Sequence, residues 1–352
     1  MTKKNIEKYY MAGAILLLSL LMLNFINVNF LTGQLSQMAE NARPARINVT
    51  ILESDCTYCY NITATANMLN NYNITSEQTY SLGSAEASKL IQQYGITKLP
   101  TIIITGELNK TLITGYKNTT NALIFDTQKA PYYDLAKSKV TGQVSATIIA
   151  ESDCAVCQNM NSVITQLSQA GVYIKQTTTK ERENATSIIT QYNITKLPAL
   201  ILSKEIDDYN SSSSLTQIGF QNKGELILQA TTAPYSDAMT GATRGETQLI
   251  ILNDSACGNC TDIGGMNKQI LTQGYGLYIT NTTTIDINST EGMALIAKYN
   301  ITKVPTTIST GDVSVYAALS QVWPQVGSVE SDGNYVFRTL TVLGNVTYKT
   351  IG

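Results

Sequence analysis

Apolar residues along this chain fall into three patterns. Residues 11–31, MAGAILLLSLLMLNFINVNFL, form one nearly unbroken apolar run. About 20 helical residues cross the roughly 30 Å hydrocarbon core of a bilayer, so the run predicts a membrane-spanning helix. Short runs rich in Ile, Val and Thr, such as INVTIL, SATIIA and QLIIL, predict buried strands. Elsewhere the apolar positions recur at helical spacing: Ala87, Leu90, Ile91 and Tyr94 in one stretch, Ile188, Ile189 and Tyr192 in another. Strands alternating with helices predict an α/β fold.

The pattern repeats. QYGITKLP at 93–100 returns as QYNITKLP at 191–198 and as KYNITKVP at 298–305. Each copy follows a Cys-x-x-Cys pair, and each pair follows one of the strand-like runs. Cys56 to Cys154 spans 98 positions and Cys154 to Cys257 spans 103. A second phrase, APYYD at 130–134 and APYSD at 233–237, closes the first two units. Each unit reads as strand, Cys-x-x-Cys turn, helix, strand, amphipathic helix, proline, strand. A fourth strand is expected in KTLITG and SLTQIG. The expected organisation is a cytoplasmic N-terminus at 1–10, a transmembrane helix at 11–31 and a linker at 32–46. Three domains follow at 47–143, 144–246 and 247–352, of ordinary domain size. The last stretch reads as strands around the DGN turn at 332–334, completing the third unit.

The flanks of the apolar run give it a direction. Lys3, Lys4 and Lys8 precede it, and no Lys or Arg follows until Arg43. Positive-inside logic leaves the N-terminus in the cytoplasm and the bulk outside. A cleaved signal peptide is the alternative, and it exports the body equally well. Asn-x-Ser/Thr triplets are numerous and all lie after the run; Asn48, Asn61, Asn193, Asn259 and Asn300 are examples. They suit a glycosylated exported surface.

Composition narrows the chemistry. The net charge is −2 and 14% of residues are charged, so nothing draws the chain to nucleic acid. There is no histidine, which removes the usual proton shuttle and the commonest metal ligand. The reactive groups left are the six cysteines, the carboxylates, Lys, Arg and Tyr. No cofactor or metal site is expected.

The order strand, Cys-x-x-Cys, helix, strand, helix, Pro, strand resembles the thioredoxin-like superfamily, three times over across residues 47–315. Protein disulfide isomerases and archaeal membrane-anchored proteins with thioredoxin domains are the nearest types. The resemblance implies a mixed sheet flanked by helices in each unit, and cis prolines at Pro100, Pro198 and Pro305. It also implies a substrate-binding edge in which Leu99, Leu197 and Val304 pair with an extended chain. The family's Trp before the first cysteine is replaced by Asp55, Asp153 or Ala256, and its Gly-Pro between the cysteines by Thr-Tyr, Ala-Val or Gly-Asn.

The residues carry their own reading. A leading cysteine at a helix N-terminus is favoured as thiolate. Cys56, Cys154 and Cys257 are therefore the expected attacking thiols, with Cys59, Cys157 and Cys260, one helical turn on, as resolving partners. Asp55 and Asp153 are expected as helix N-caps. Glu53 and Glu151 are candidates for a proton relay. Lys98, Lys196 and Lys303 read as solvated charges. The second unit has the cleanest pattern; the third, with Gly264 and Gly265 in its helix, the weakest.

Three functions stay open. The first is membrane-anchored, extracytoplasmic thiol–disulfide oxidation, reduction or isomerisation of exported proteins with cysteines, coupled to a membrane or soluble redox partner. The second is a glycosylated surface protein that binds through redox-inert thioredoxin-like domains. The third is Cu(I) held by paired thiolates. Pure stapling is disfavoured, because closing a four-residue loop gains only about 2 kcal/mol.

Overall fold

The computed structural model describes the backbone of residues 3–111 and 113–351, and side chains throughout these except at 3–10 and 12–15. Of the segment expected to be cytoplasmic at 1–10, residues 1 and 2 lie outside the described residues and 3–10 are described by backbone alone. Contacts divide the chain into two compact units, residues 1–140 and 141–352. The first holds one repeat. The second holds the other two.

Each repeat is built on a five-stranded mixed sheet with the same order. In the first, the leading strand Arg46–Glu53 runs parallel to Asn73–Ser81 on one side and antiparallel to Thr101–Gly106 on the other. Leu123–Ile124 and Lys117–Asn118 follow outward. The second repeat is led by Val144–Ala150, between Ile174–Glu181 and Ala199–Leu202. The third is led by Glu246–Asn253, between Tyr278–Asp286 and Thr306–Gly311. A parallel pair joined through a helix, followed by antiparallel strands, is the thioredoxin-like arrangement, and it occurs three times. The leading strand lies inside the sheet, paired on both sides, and its Ile47, Val49, Ile51 and Leu52 are all buried. Its parallel neighbour, rich in Thr, Ser and Gln, lies mostly exposed at the sheet edge.

The repeated QYGITKLP phrase now has a physical account. It is a helix ending. Helices Ala85–Tyr94, Thr186–Tyr192 and Thr290–Tyr299 stop at Gly95, Asn193 and Asn300, which adopt left-handed backbone with φ of 61°, 56° and 50°. Gly and Asn enter that region most readily. The following Ile96, Ile194 and Ile301 are buried and donate their N–H groups back to Ile91, Ile189 and Ile296. Each chain then turns straight into the loop that carries the proline.

The expected fourth strands are misplaced. SLTQIG, residues 214–219, begins inside a short helix, Ser212–Leu215, and continues as turn, and the strand is Glu225–Gln229. KTLITG, part of which lies outside the described residues, contains no strand among the rest; Leu123–Ile124 takes the position. A short apolar run does not by itself choose between strand and loop.

Two tyrosines pin the second and third repeats. The Tyr209 hydroxyl accepts from the Tyr173 N–H (3.1 Å) and donates to the Gly142 carbonyl (2.5 Å). Tyr316 does the same with Tyr278 (2.9 Å) and Gly245 (2.6 Å). Each ties the start of the leading strand to the start of its parallel neighbour.

The N-terminal helix is longer than the apolar run, extending over Lys3–Ala42. The expected linker at 32–46 is therefore mostly helix. Residues 32–42 contain no proline, and Pro44 then excludes helical geometry at Arg43. Within Leu16–Ala42 an 18-residue stretch has a mean hydropathy of 1.7 and is unburied, and by length and composition the helix could cross a membrane. At its end Arg43 pairs with Glu40 and, at 2.6 Å, with Glu107 of the first repeat. Glu107 also accepts from the Arg46 N–H at 2.9 Å.

The Arg43 guanidinium, helped by that N–H, moves the Glu107 carboxyl from the usual 4.5 to about 2. A depressed folded value means the contribution is present above about 4.5 and lost as pH falls towards 2. Acidification through that window is expected to loosen the joint between helix and first repeat. A lower protection factor at the Arg46 amide, taken against its intrinsic exchange rate at each pH, would report it, and Arg43→Ala should abolish the pH dependence.

Candidate functional site

The leading strand of each repeat ends in the cysteine pair. Cys56–Cys59, Cys154–Cys157 and Cys257–Cys260 are disulfides, with Cα–Cα separations of 5.4, 5.4 and 5.5 Å. Each pair closes a tight turn, in which the second cysteine's N–H donates to the first one's carbonyl at 3.2–3.3 Å.

The turn precedes the helix rather than opening it. Helices begin at Ile62, Met160 and Ile263, capped by Asn61, Asn159 and Asp262. Cys56 thus lies six positions ahead of its helix. The dipole's effect falls off within the first turn, so the expected helix-end stabilisation of the leading thiolates is not supported by this geometry. Asp55 and Asp153 are not caps; both are exposed turn residues. Sequence reading missed the true caps because Asn and Asp also abound in the turn itself.

The carboxylates differ among repeats. Glu53 is exposed. Glu151 is largely buried and held by Arg182. In the third repeat Asp254 is buried, accepts from Lys349 Nζ at 2.6 Å and from the Ala256 N–H at 3.0 Å, and is held below the usual carboxylate range chiefly by Lys349. Asp286 bonds the Ser255 N–H at 2.7 Å and lies at about 2, held there first by its Ser255 hydrogen bonds and then by the Asn288 N–H. Gly264 and Gly265 have local reasons. A Cβ on Gly264 would stand 2.6 Å from Ile251 Cγ2, and the Gly265 N–H is the one that Asp262 caps.

The peptide bonds Leu99–Pro100, Leu197–Pro198 and Val304–Pro305 are cis. So are Ala130–Pro131 and Ala233–Pro234, in the APYYD and APYSD phrases. In the first repeat Pro100 lines one open cleft with Cys56, Cys59 and Tyr60, of about 310 Å³. Cys56 and Cys257 are partly exposed; Cys154 is buried, at 8% exposure. The repeat with the cleanest sequence pattern therefore has the least accessible leading sulfur.

Leu99, Leu197 and Val304 are fully buried, and their backbones face strands of this same chain. Leu99 pairs with Tyr133, Leu197 with Ser236 and Val304 with Lys349, all antiparallel. The three lysines are not simply solvated: Lys98, Lys196 and Lys303 sit 4.4, 4.7 and 5.0 Å from the ring centres of Tyr132, Tyr235 and Tyr348. Among the described residues no group of three or more His, Cys, Asp or Glu is placed to hold a metal ion.

Comparisons with solved structures give matches of low identity and low TM-score. No family model matches the chain. No curated protein matches it either. A crystal structure of ERdj5 (form II) matches at 13% identity, covering 81% of this chain and 39% of its own, with a TM-score of 0.15. A protein disulfide oxidoreductase from Aeropyrum pernix K1 matches at 10% identity over 51% of this chain and 88% of its own, TM-score 0.16. Human ERp44 matches at 8% identity over 90% and 98%, TM-score 0.15. The chain thus spans 39% of the ERdj5 structure. What defines the class here is the observed strand order with a Cys-x-x-Cys disulfide at the end of each leading strand: three thioredoxin-like repeats behind an apolar N-terminal helix.

Removing Lys349 alone leaves a buried carboxylate without its partner, which costs more than replacing both groups. Lys349→Met is expected to lower the melting temperature of the third repeat more than the double variant Lys349→Met/Asp254→Asn. Equal losses would show that the ion pair does not govern this turn.

Proposed function

We propose that this chain is a membrane-anchored thiol–disulfide exchange protein acting outside the cytoplasm on exported proteins with cysteines. The Lys3–Ala42 helix is the anchor, with its lysine-bearing N-terminus on the cytoplasmic side. The observation that carries the reading is the first repeat: a partly exposed Cys56–Cys59 disulfide in an open cleft that also contains Pro100.

In the oxidising direction a substrate thiolate attacks Cys56 Sγ, and Cys59 leaves with the electron pair as thiolate. A second substrate thiolate then attacks the mixed disulfide and releases Cys56. The substrate gains a disulfide and the pair two electrons, which a membrane or soluble redox partner must remove. Cys257 and Cys260 follow the same scheme in the third repeat.

A second reading applies to the second repeat. The burial of Cys154 favours an inert, structural disulfide there, with the domain serving to bind.

The full chain in detergent is expected to reduce or rearrange a protein disulfide in the presence of a thiol reductant. The triple variant Cys56→Ser/Cys154→Ser/Cys257→Ser should fall to the uncatalysed rate, while Cys154→Ser alone changes little. An unaltered rate in the triple variant would favour the binding reading for the whole chain.

A further inference from the structure

Each disulfide has a neighbour that the exchange scheme does not use. A short strand of the same chain lies along the loop just before the proline: Tyr132–Asp134, Tyr235–Asp237 and Lys349–Thr350. The register is the same in all three. The N–H groups of Leu135, Ala238 and Ile351 donate to the carbonyls of Thr97, Thr195 and Thr302 at 3.0, 3.0 and 2.8 Å. In an antiparallel ladder, mutually bonded pairs alternate with unbonded ones. Two positions along, Leu99 with Tyr133, Leu197 with Ser236 and Val304 with Lys349 are therefore the bonded pairs. Both backbone groups of the residue before each proline are thus taken by the chain itself.

The strand also reaches the disulfide. The Tyr60 N–H, next after Cys59, donates to the Pro131 carbonyl at 2.8 Å. In the third repeat Thr261, next after Cys260, donates to the Thr347 carbonyl at 2.9 Å, and its Oγ1 accepts from the Thr347 N–H at 2.8 Å. A lysine of the loop covers a strand tyrosine in every repeat. Sequence does not explain this convergence by copying, since the third strand, TYKTI, lacks the Ala-Pro of the first two.

We propose that these strands are built-in occupants of the sheet edge beside each disulfide, and that they set the substrate class. Small thiols and disulfides, or cysteines on loose chain ends, reach the sulfurs directly. An extended polypeptide, which would bind by adding a strand to an exposed edge, must first displace the resident one. The proposal rests on the exchange reading above and restricts it. The third strand is the most readily displaced: it lies in a two-stranded ladder, whereas the first two are central strands of three-stranded ones.

The test compares two attacking thiols on the full-length, disulfide-form chain in detergent. One is glutathione. The other is a Thr/Val-rich extended peptide with a single central cysteine. Tyr133→Pro and Ser236→Pro each remove the strand's bonded N–H without touching a cysteine; the third strand is left intact, because Lys349 also holds Asp254. The intact chain is expected to react with the peptide roughly tenfold more slowly than with glutathione, the equivalent of one or two backbone hydrogen bonds. The proline variants should recover most of that gap for the peptide and leave the glutathione rate unchanged. Equal rates for the two thiols on the intact chain would overturn the proposal. Amide exchange at Leu99, Leu197 and Val304 tests the occupancy separately: protection is expected at all three in the intact chain, and its loss at Leu99 in Tyr133→Pro and at Leu197 in Ser236→Pro. Unprotected amides in the intact chain sink the proposal whatever the chemistry. Protected amides with no reaction towards either thiol, in any variant, sink the exchange reading instead and leave the strands as structural closures.

Discussion

Each repeat depends on the leading strand being paired along both edges. A buried strand with a parallel partner on one side and an antiparallel partner on the other has no unsatisfied backbone group to spend on wandering. It must run straight through the sheet and emerge at one end. There Ser, Asp and Cys take over from Ile and Leu, the chain turns, and the disulfide closes. The antiparallel neighbour starts just after the proline, so the same pairing brings the loop to the sulfurs. Four sequence-distant pieces meet because one strand is fully hydrogen-bonded.

The broad plan was legible in the residues. Three Cys-x-x-Cys pairs, each ahead of a Tyr-Gly/Asn-Ile-Thr-Lys-Leu/Val-Pro phrase, are enough to recognise three copies of one fold. Periodicity placed the second helix of each repeat because Ala87, Leu90 and Ile91 face a single core. What was not legible depended on contacts between distant segments. The helix after the cysteines starts later than the sequence suggests, because the Asn or Asp that caps it sits among other residues equally able to cap. The lysine before each Leu or Val looked like surface charge. Only the fold shows it over a tyrosine, 34 positions on in the first repeat. The third resident strand shares just one Tyr with the other two, so no phrase announced it.

The three sites are alike in backbone and unlike in electrostatics. The first leaves Glu53 in solvent and its disulfide in an open cleft. The second buries Glu151 against Arg182 and encloses Cys154. The third buries Asp254 under a lysine of its own resident strand. Fixed charges beside a disulfide bias which oxidation state is favoured. Three copies of one backbone thus offer three different settings, and the differences lie in side chains that backbone geometry does not dictate.

The unbroken N-terminal helix has a mechanical consequence. Forty residues at about 1.5 Å each make a rod of roughly 60 Å, twice the hydrocarbon thickness of a bilayer. Wherever that rod crosses a membrane, about half its length stands clear of the hydrocarbon. With Arg43 bound to Glu107, the first repeat is carried at the tip of a stiff stalk.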